Sequence, residues 1–140
     1  MTTPTVAPFG SWQSPITTDL ITSKAIGLGQ LSLDGSDLYW LESRPSEGGR
    51  LVIVRRTPDG QTTDLTPPGF NVRSRVHEYG GGAYTVAGGT VYFTNFADQH
   101  LYAHAPGAEP CVLHGVAGHR YADMVVDQAR GRIICVREDH

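Results

Sequence analysis

LSLDGSDLYWL, Leu31 to Leu41, decides the fold of this 140-residue chain. Leu31 and Leu33 alternate with Gln30 and Ser32, the two-residue period of a strand whose side chains point to opposite faces in turn. Asp34-Gly35-Ser36-Asp37 then makes a turn, and Leu38-Tyr39-Trp40-Leu41 starts a second strand. Asp-Gly between hydrophobic runs marks a hairpin, because its backbone accepts the twist that a tight two-strand connection requires. AYTVAGGTVYF, Ala83 to Phe93, repeats the plan, with Leu33 falling on Val86 and Leu38 on Val91. A third version runs through Met124-Val125-Val126, turns at Asp127 to Gly131, and continues as Ile133-Ile134-Cys135-Val136.

Outward from these hairpins the spacing of strands is regular. After Leu41 the loop Arg44 to Gly49 leads to LVIVRR, Leu51 to Arg56, and the turn Pro58-Asp59-Gly60 leads to an outer strand over Gln61 to Leu65. In the second version His100 to His104 reads as the third strand and Cys111-Val112-Leu113 as the fourth. Four short strands every ~40–50 residues is the period of a β-propeller blade. No stretch of 10–15 residues with helical periodicity separates the strands, which argues against an α/β arrangement. The expected fold is all-β: a partial β-propeller of about two four-stranded antiparallel blades and the start of a third. The expected segments are an extended leader over 1–28, a blade-like unit over 29–65, and a crossover with a Gly-rich bend over 66–83. A second unit over 84–113 and a crossover with an incomplete third unit over 114–140 follow. In the leader, Ile16 to Leu28 reads as irregular chain, since Thr17, Thr18 and Thr22 are poor helix formers, and Trp12 is the expected anchor against the folded body. A propeller closes with 4–8 blades. An array that stops in its third unit leaves Ile133, Ile134 and Val136 on an unprotected edge, and the expectation is a piece of a longer chain.

Composition agrees with short strands and tight turns. Glycine contributes 17 of 140 residues, against a usual share of ~7%. The net charge of −3 gives no electrostatic reason to expect nucleic acid as a partner. The N-terminus, MTTPTVAPFGSWQSP, lacks the basic and apolar regions of a signal peptide. The longest apolar runs are as short as LVIV, far below the ~20 residues of a membrane span, so no membrane partner and a cytoplasmic location are expected. Cys111 and Cys135 do not form a C-x-x-C pair and would both stay reduced in that compartment.

Chemistry-bearing residues concentrate in RVHEYGGGAY, Arg75 to Tyr84. As a strand, this stretch would carry Arg75, His77 and Tyr79 on one face and Val76 and Glu78 on the other. Two readings stand side by side. One is a rim site for a charged or polar ligand, with Arg75 and Glu78 as ion-pair formers. The other, preferred, is a network that locks one blade against its neighbour, with His77 neutral. Gly80, Gly81 and Gly82 are structural in both, giving a tight bend or a close approach of chain to chain. Arg120-Tyr121-Ala122-Asp123 stands before the third unit as RVHEYGGGAY stands before the second.

No catalytic residue is expected in this chain. Ser32, Ser36, Ser43 and Ser46 occupy strand or turn positions, and no Gly-x-Ser-x-Gly elbow occurs. Cys111, His114 and His119 form C-x2-H-x4-H, which His104 or Asp123 would have to complete. The histidines belong to a loop and the cysteine to an outer strand, so neither a metal nor any other cofactor is expected. No phosphate-binding or dinucleotide fingerprint is present.

SPIT (Ser14–Thr17), LYWLESRPSEGGR (Leu38–Arg50) and RVHEYGGGAY together resemble the N-terminal part of the prolyl oligopeptidase family of serine peptidases. YFTNFADQ (Tyr92–Gln99), RYAD (Arg120–Asp123) and ICVREDH (Ile134–His140) extend the resemblance, which points to the bacterial acylaminoacyl- and dipeptidyl-peptidase-like branch. It implies a propeller followed by an α/β-hydrolase domain that holds all three triad residues. These residues would then be a non-catalytic, substrate-gating portion of an enzyme that cleaves peptides or acyl-aminoacyl peptides. Its implied partners are the hydrolase domain of the same parent chain and a peptide substrate. The alternative is a stand-alone β-rich interaction module completed by self-assembly or by a partner chain.

Overall fold

The computed structural model describes residues 6–22 and 25–140, so parts of the expected leader, Met1–Thr5 and Ser23–Lys24, lie outside the described residues. Among the described residues ten strands form three antiparallel sheets. β1 (Gly27–Asp34), β2 (Asp37–Arg44), β3 (Arg50–Arg56) and β4 (Thr62–Asp64) make a four-stranded meander. β5 (Tyr84–Ala87), β6 (Thr90–Thr94), β7 (Leu101–His104) and β8 (Cys111–His114) make a second. β9 (His119–Asp127) and β10 (Arg132–Asp139) form a two-stranded sheet, with β10 paired to β9 alone. The partial propeller read from the repeat is therefore the observed architecture. The first strands β1, β5 and β9 approach one another in turn across the array. Among the described residues no helix is long and apolar enough to cross a membrane.

Three local expectations are corrected. Thr18–Thr22 is a five-residue helix, α1, because Thr17 caps it: its Oγ1 accepts the Leu20 N–H at 3.1 Å and its carbonyl accepts that of Ile21 at 3.1 Å. Trp12 is 68% exposed and anchors nothing. Arg120 to Asp123 lies inside β9 rather than in a crossover.

Packing follows the two-residue period. In β6, Val91 and Phe93 face the first sheet, joining Tyr39, Leu41 and Ile53 in one core. Tyr92 faces the opposite way, onto the core of Leu101, Tyr121 and Met124. Phe93 is fully buried and stacks on Tyr102 at 5.5 Å, while Phe70 of the crossover meets both rings edge-on at 5.7 and 5.1 Å.

The first sheet closes its other face with charge. Cross-strand register puts Trp40 beside Val54 and Glu42 beside Val52. Above these valines Arg44 bonds Glu42 at 2.8 Å and Asp64 at 2.5 and 2.7 Å. The arginine holds the Asp64 carboxyl below its usual range. A depressed folded pKa stabilises above the unfolded value, ~3.9 for Asp, and that contribution fades as pH falls through the folded value. Asp64→Asn is therefore expected to lower the urea midpoint more at pH 7 than at pH 3, which lies below the unfolded value. An equal loss at both pH values would exclude this ion pair as the cause.

Candidate functional site at the blade-entry rim

The crossover between β4 and β5 runs over the first and second sheets and is tied down along its length. Ile53 N–H donates to Thr66 Oγ1 at 3.1 Å, and Leu51 N–H to Asn71 Oδ1 at 3.0 Å. Asn71 N–H in turn donates to Asn95 Oδ1 at 3.1 Å. These bonds satisfy backbone donors that would otherwise be costly to bury.

RVHEY does not continue as a strand. Val76–Tyr79 forms a turn, with His77 at φ +55° and Glu78 at φ +64°, a region that side chains with a Cβ seldom occupy. The alternation expected for Arg75, His77 and Tyr79 is therefore replaced by a tip on which all three are exposed, together with Glu78. Val76, almost completely buried, is its anchor. The turn is held from the third sheet. Arg120 of β9 donates to Glu78 Oε1 at 2.6 Å and to the Arg75 carbonyl at 2.9 Å. Glu138 of β10 accepts the His77 backbone N–H at 2.9 Å and lies 3.5 Å from His77 Nδ1. The Arg120 bond holds the Glu78 carboxyl below its usual range, and the His77 N–H does the same for Glu138. Glu78 thus pairs with Arg120 rather than with Arg75, whose guanidinium rests over the Phe96 ring at 4.3 Å.

The glycines after the turn make room for two clasps. Gly80 takes φ +86°. Gly81 and Gly82 do not take left-handed φ, but a Cβ on Gly81 would come within 2.8 Å of Ala122 Cβ, and one on Gly82 within 2.8 Å of Asp123 Oδ1. They are glycine because β9 passes against them. Asp123, at φ +54°, accepts Gly82 N–H on Oδ1 at 2.7 Å and donates its own N–H to the Gly82 carbonyl at 2.8 Å. From the other side Gln30 of β1, at φ +46°, accepts Ala83 N–H at 3.0 Å and donates to the Tyr84 carbonyl at 2.5 Å. Both clasps sit at irregularities in strand register, between Gly29 and Ser32 in β1 and opposite Cys135 in β9. The sequence signals neither role: Gln30 reads as the polar half of an alternation, and Asp123 as the end of a crossover.

The C-x2-H-x4-H residues do not converge on a point, and the two histidines end β8 and open β9 instead of lying in a loop. Cys111 is exposed on β8, His114 meets the Tyr121 ring edge-on at 5.5 Å, and His119 Nδ1 lies 3.1 Å from Tyr121 Oη. Among the described residues no three His, Cys, Asp or Glu side chains are placed to hold a metal ion.

No protein-family model matches the chain, and no curated protein does. Solved structures do. The chain is similar to a puromycin hydrolase, at 37% identity and a TM-score of 0.82, over 93% of this chain and 22% of that one. It is also similar to a puromycin-hydrolyzing peptidase of Mycobacterium tuberculosis, at 34% identity and a TM-score of 0.88, over 98% of this chain and 22% of that one. It therefore spans about a fifth of the length of the structures it matches.

Proposed function

We propose, from the premise that this chain belongs with the β-propeller region of prolyl oligopeptidase family peptidases, that it is a substrate-gating portion of such an enzyme. In this reading it supplies no catalytic residue and acts in the cytoplasm beside a hydrolase domain of the same parent chain. The substrates are peptides or acyl-aminoacyl peptides, with puromycin, an aminoacyl compound, as the probe suggested by the relatives. The observation that carries the reading is identity above one third with a puromycin hydrolase across nearly the whole of this chain, on a matching blade architecture. The polar rim fits the role, because its exposed groups stand on a turn held by two neighbouring strands rather than on a loose loop.

A chimera tests it. This chain would replace the matching fifth of the mycobacterial peptidase, and puromycin hydrolysis would be followed. Activity within about tenfold of the parent, roughly 1.4 kcal/mol of transition-state stabilisation, is expected. A folded chimera without activity overturns the gating role. Hydrolysis of chromogenic peptides by this chain alone, blocked by a serine-directed phosphonate, would overturn the non-catalytic one.

A further inference from the structure

Seven arginines, from Arg44 to Arg137, take carboxylate partners. Arg56, Arg73 and Arg75 take none among the described residues, and the last two share one aromatic ring. The Arg73 guanidinium carbon lies 5.0 Å from the centre of Phe96 and that of Arg75 lies 4.3 Å from it. Both arginines are exposed. Each guanidinium is held to the ring by cation–π attraction, and the two like charges repel each other. In a chain of net charge −3, this is a local excess of positive charge without its counter-ion.

The platform is tied down by hydrogen bonds, and the nearby acids are already engaged. Arg73 N–H donates to the Thr94 carbonyl at 3.1 Å, and Arg75 N–H to Gln99 Oε1 at 2.8 Å. Gln99 is buried and donates back to the Phe96 carbonyl at 2.9 Å, and Phe96 N–H donates to the Asn71 carbonyl at 2.8 Å. Asp98, two residues from the ring, accepts from Tyr102 Oη at 2.7 Å, His100 N–H at 3.0 Å and Asn95 Nδ2 at 3.2 Å. Glu78 is taken by Arg120. A guanidinium resting on a ring keeps its N–H edges free, the geometry that receives a carboxylate through two parallel bonds.

We infer that Arg73, Phe96 and Arg75 form a binding site for a carboxylate of a peptide, the C-terminal carboxylate first. The inference deepens the proposed function, since it names the substrate group that the rim receives. A singly charged carboxylate suits the position better than a phosphate, because Glu78 and Glu138 stand on the same rim and repel a dianion more strongly.

The test uses the purified chain at low ionic strength, with amide chemical shifts followed during titration. The probes are acetyl-dialanine with a free C-terminus, its C-terminal amide, acetyl-aspartate amide and inorganic phosphate. The free C-terminus is expected to bind at least about fivefold more tightly than the amide and to shift Arg73, Arg75 and Phe96, as charge-assisted bonds require. The double variant R73Q/R75Q should lose that preference at an unchanged urea midpoint, and F96L should weaken it. Equal binding of carboxylate and amide overturns the site, as does a preference that survives in R73Q/R75Q. Tighter binding of phosphate, or of the aspartate side chain, overturns the C-terminal assignment. Hydrolysis is not measured here, so failure of the site leaves the chimera result standing, and failure of the chimera leaves the site standing.

Discussion

Gly81→Val is expected to cost this chain about 2–6 kcal/mol of folding free energy, while His77→Ala changes it by no more than about 1 kcal/mol. A first side-chain atom on Gly81 would lie 2.8 Å from Ala122 Cβ and 3.0 Å from Asp123 Oδ2. Ala122 is fully buried and cannot swing aside, so valine must push β9 away from the crossover. Overpacking of a fixed neighbour costs about 1–3 kcal/mol. The displaced strand also strains the paired bonds between Asp123 and Gly82, and the loss of two such bonds adds about 1–3 kcal/mol. Small domains hold only ~5–15 kcal/mol in total. His77, by contrast, is a tip residue whose bond to Glu138 comes from the backbone and survives truncation of the side chain. Urea midpoints of parent, G81V and H77A check the ordering. A G81V midpoint equal to that of the parent would show that β9 yields at no cost.

Phe93→Ala is expected to destabilise by about 3–5 kcal/mol, the range for deleting a buried aromatic ring whose cavity cannot collapse. Phe93 has no exposed surface and holds Phe70 and Tyr102 in a three-ring cluster. Its removal should also expose Tyr102, whose hydroxyl pKa is pushed up to about 12 by burial and then by its bond to Asp98. Urea unfolding gives the first quantity, and absorbance titration of the tyrosinates gives the second. A loss below 1 kcal/mol with unshifted tyrosine titration would mean that Phe70 and Tyr102 refill the space.

How much of this was legible in the sequence divides by the range of the forces involved. The hairpins at Asp34-Gly35 and Gly88-Gly89 are local chemistry and were readable, as was the four-strand repeat. α1 escaped because one side-chain cap decides a helix of five residues. The turn at Val76–Tyr79 escaped for the opposite reason. Left-handed φ at His77 and Glu78 is held by Arg120 and Glu138, residues more than 40 positions downstream that propensity cannot see. In the sequence the glycine triplet reads as a bend or a close approach, and the structure has both: Gly80 bends, while Gly81 and Gly82 admit β9. Gln30 and Asp123 carried no mark, since a polar residue in an alternating strand looks the same whether it faces water or grips a neighbouring backbone. The Arg73–Phe96–Arg75 cluster joins a crossover to the loop after β6, and only the folded chain brings them together.

β6 sends Val91 and Phe93 to the sheet before it and Tyr92 to the sheet after it. The order of units along the array is thus written twice in one strand, with odd positions specifying the predecessor and even positions the successor. A slip of one residue would exchange the two sets and offer each neighbour the surface meant for the other. Moving this unit elsewhere in an array would require odd and even positions to be rematched separately. Substitutions that adapt it to a new successor need not disturb its fit to the old predecessor.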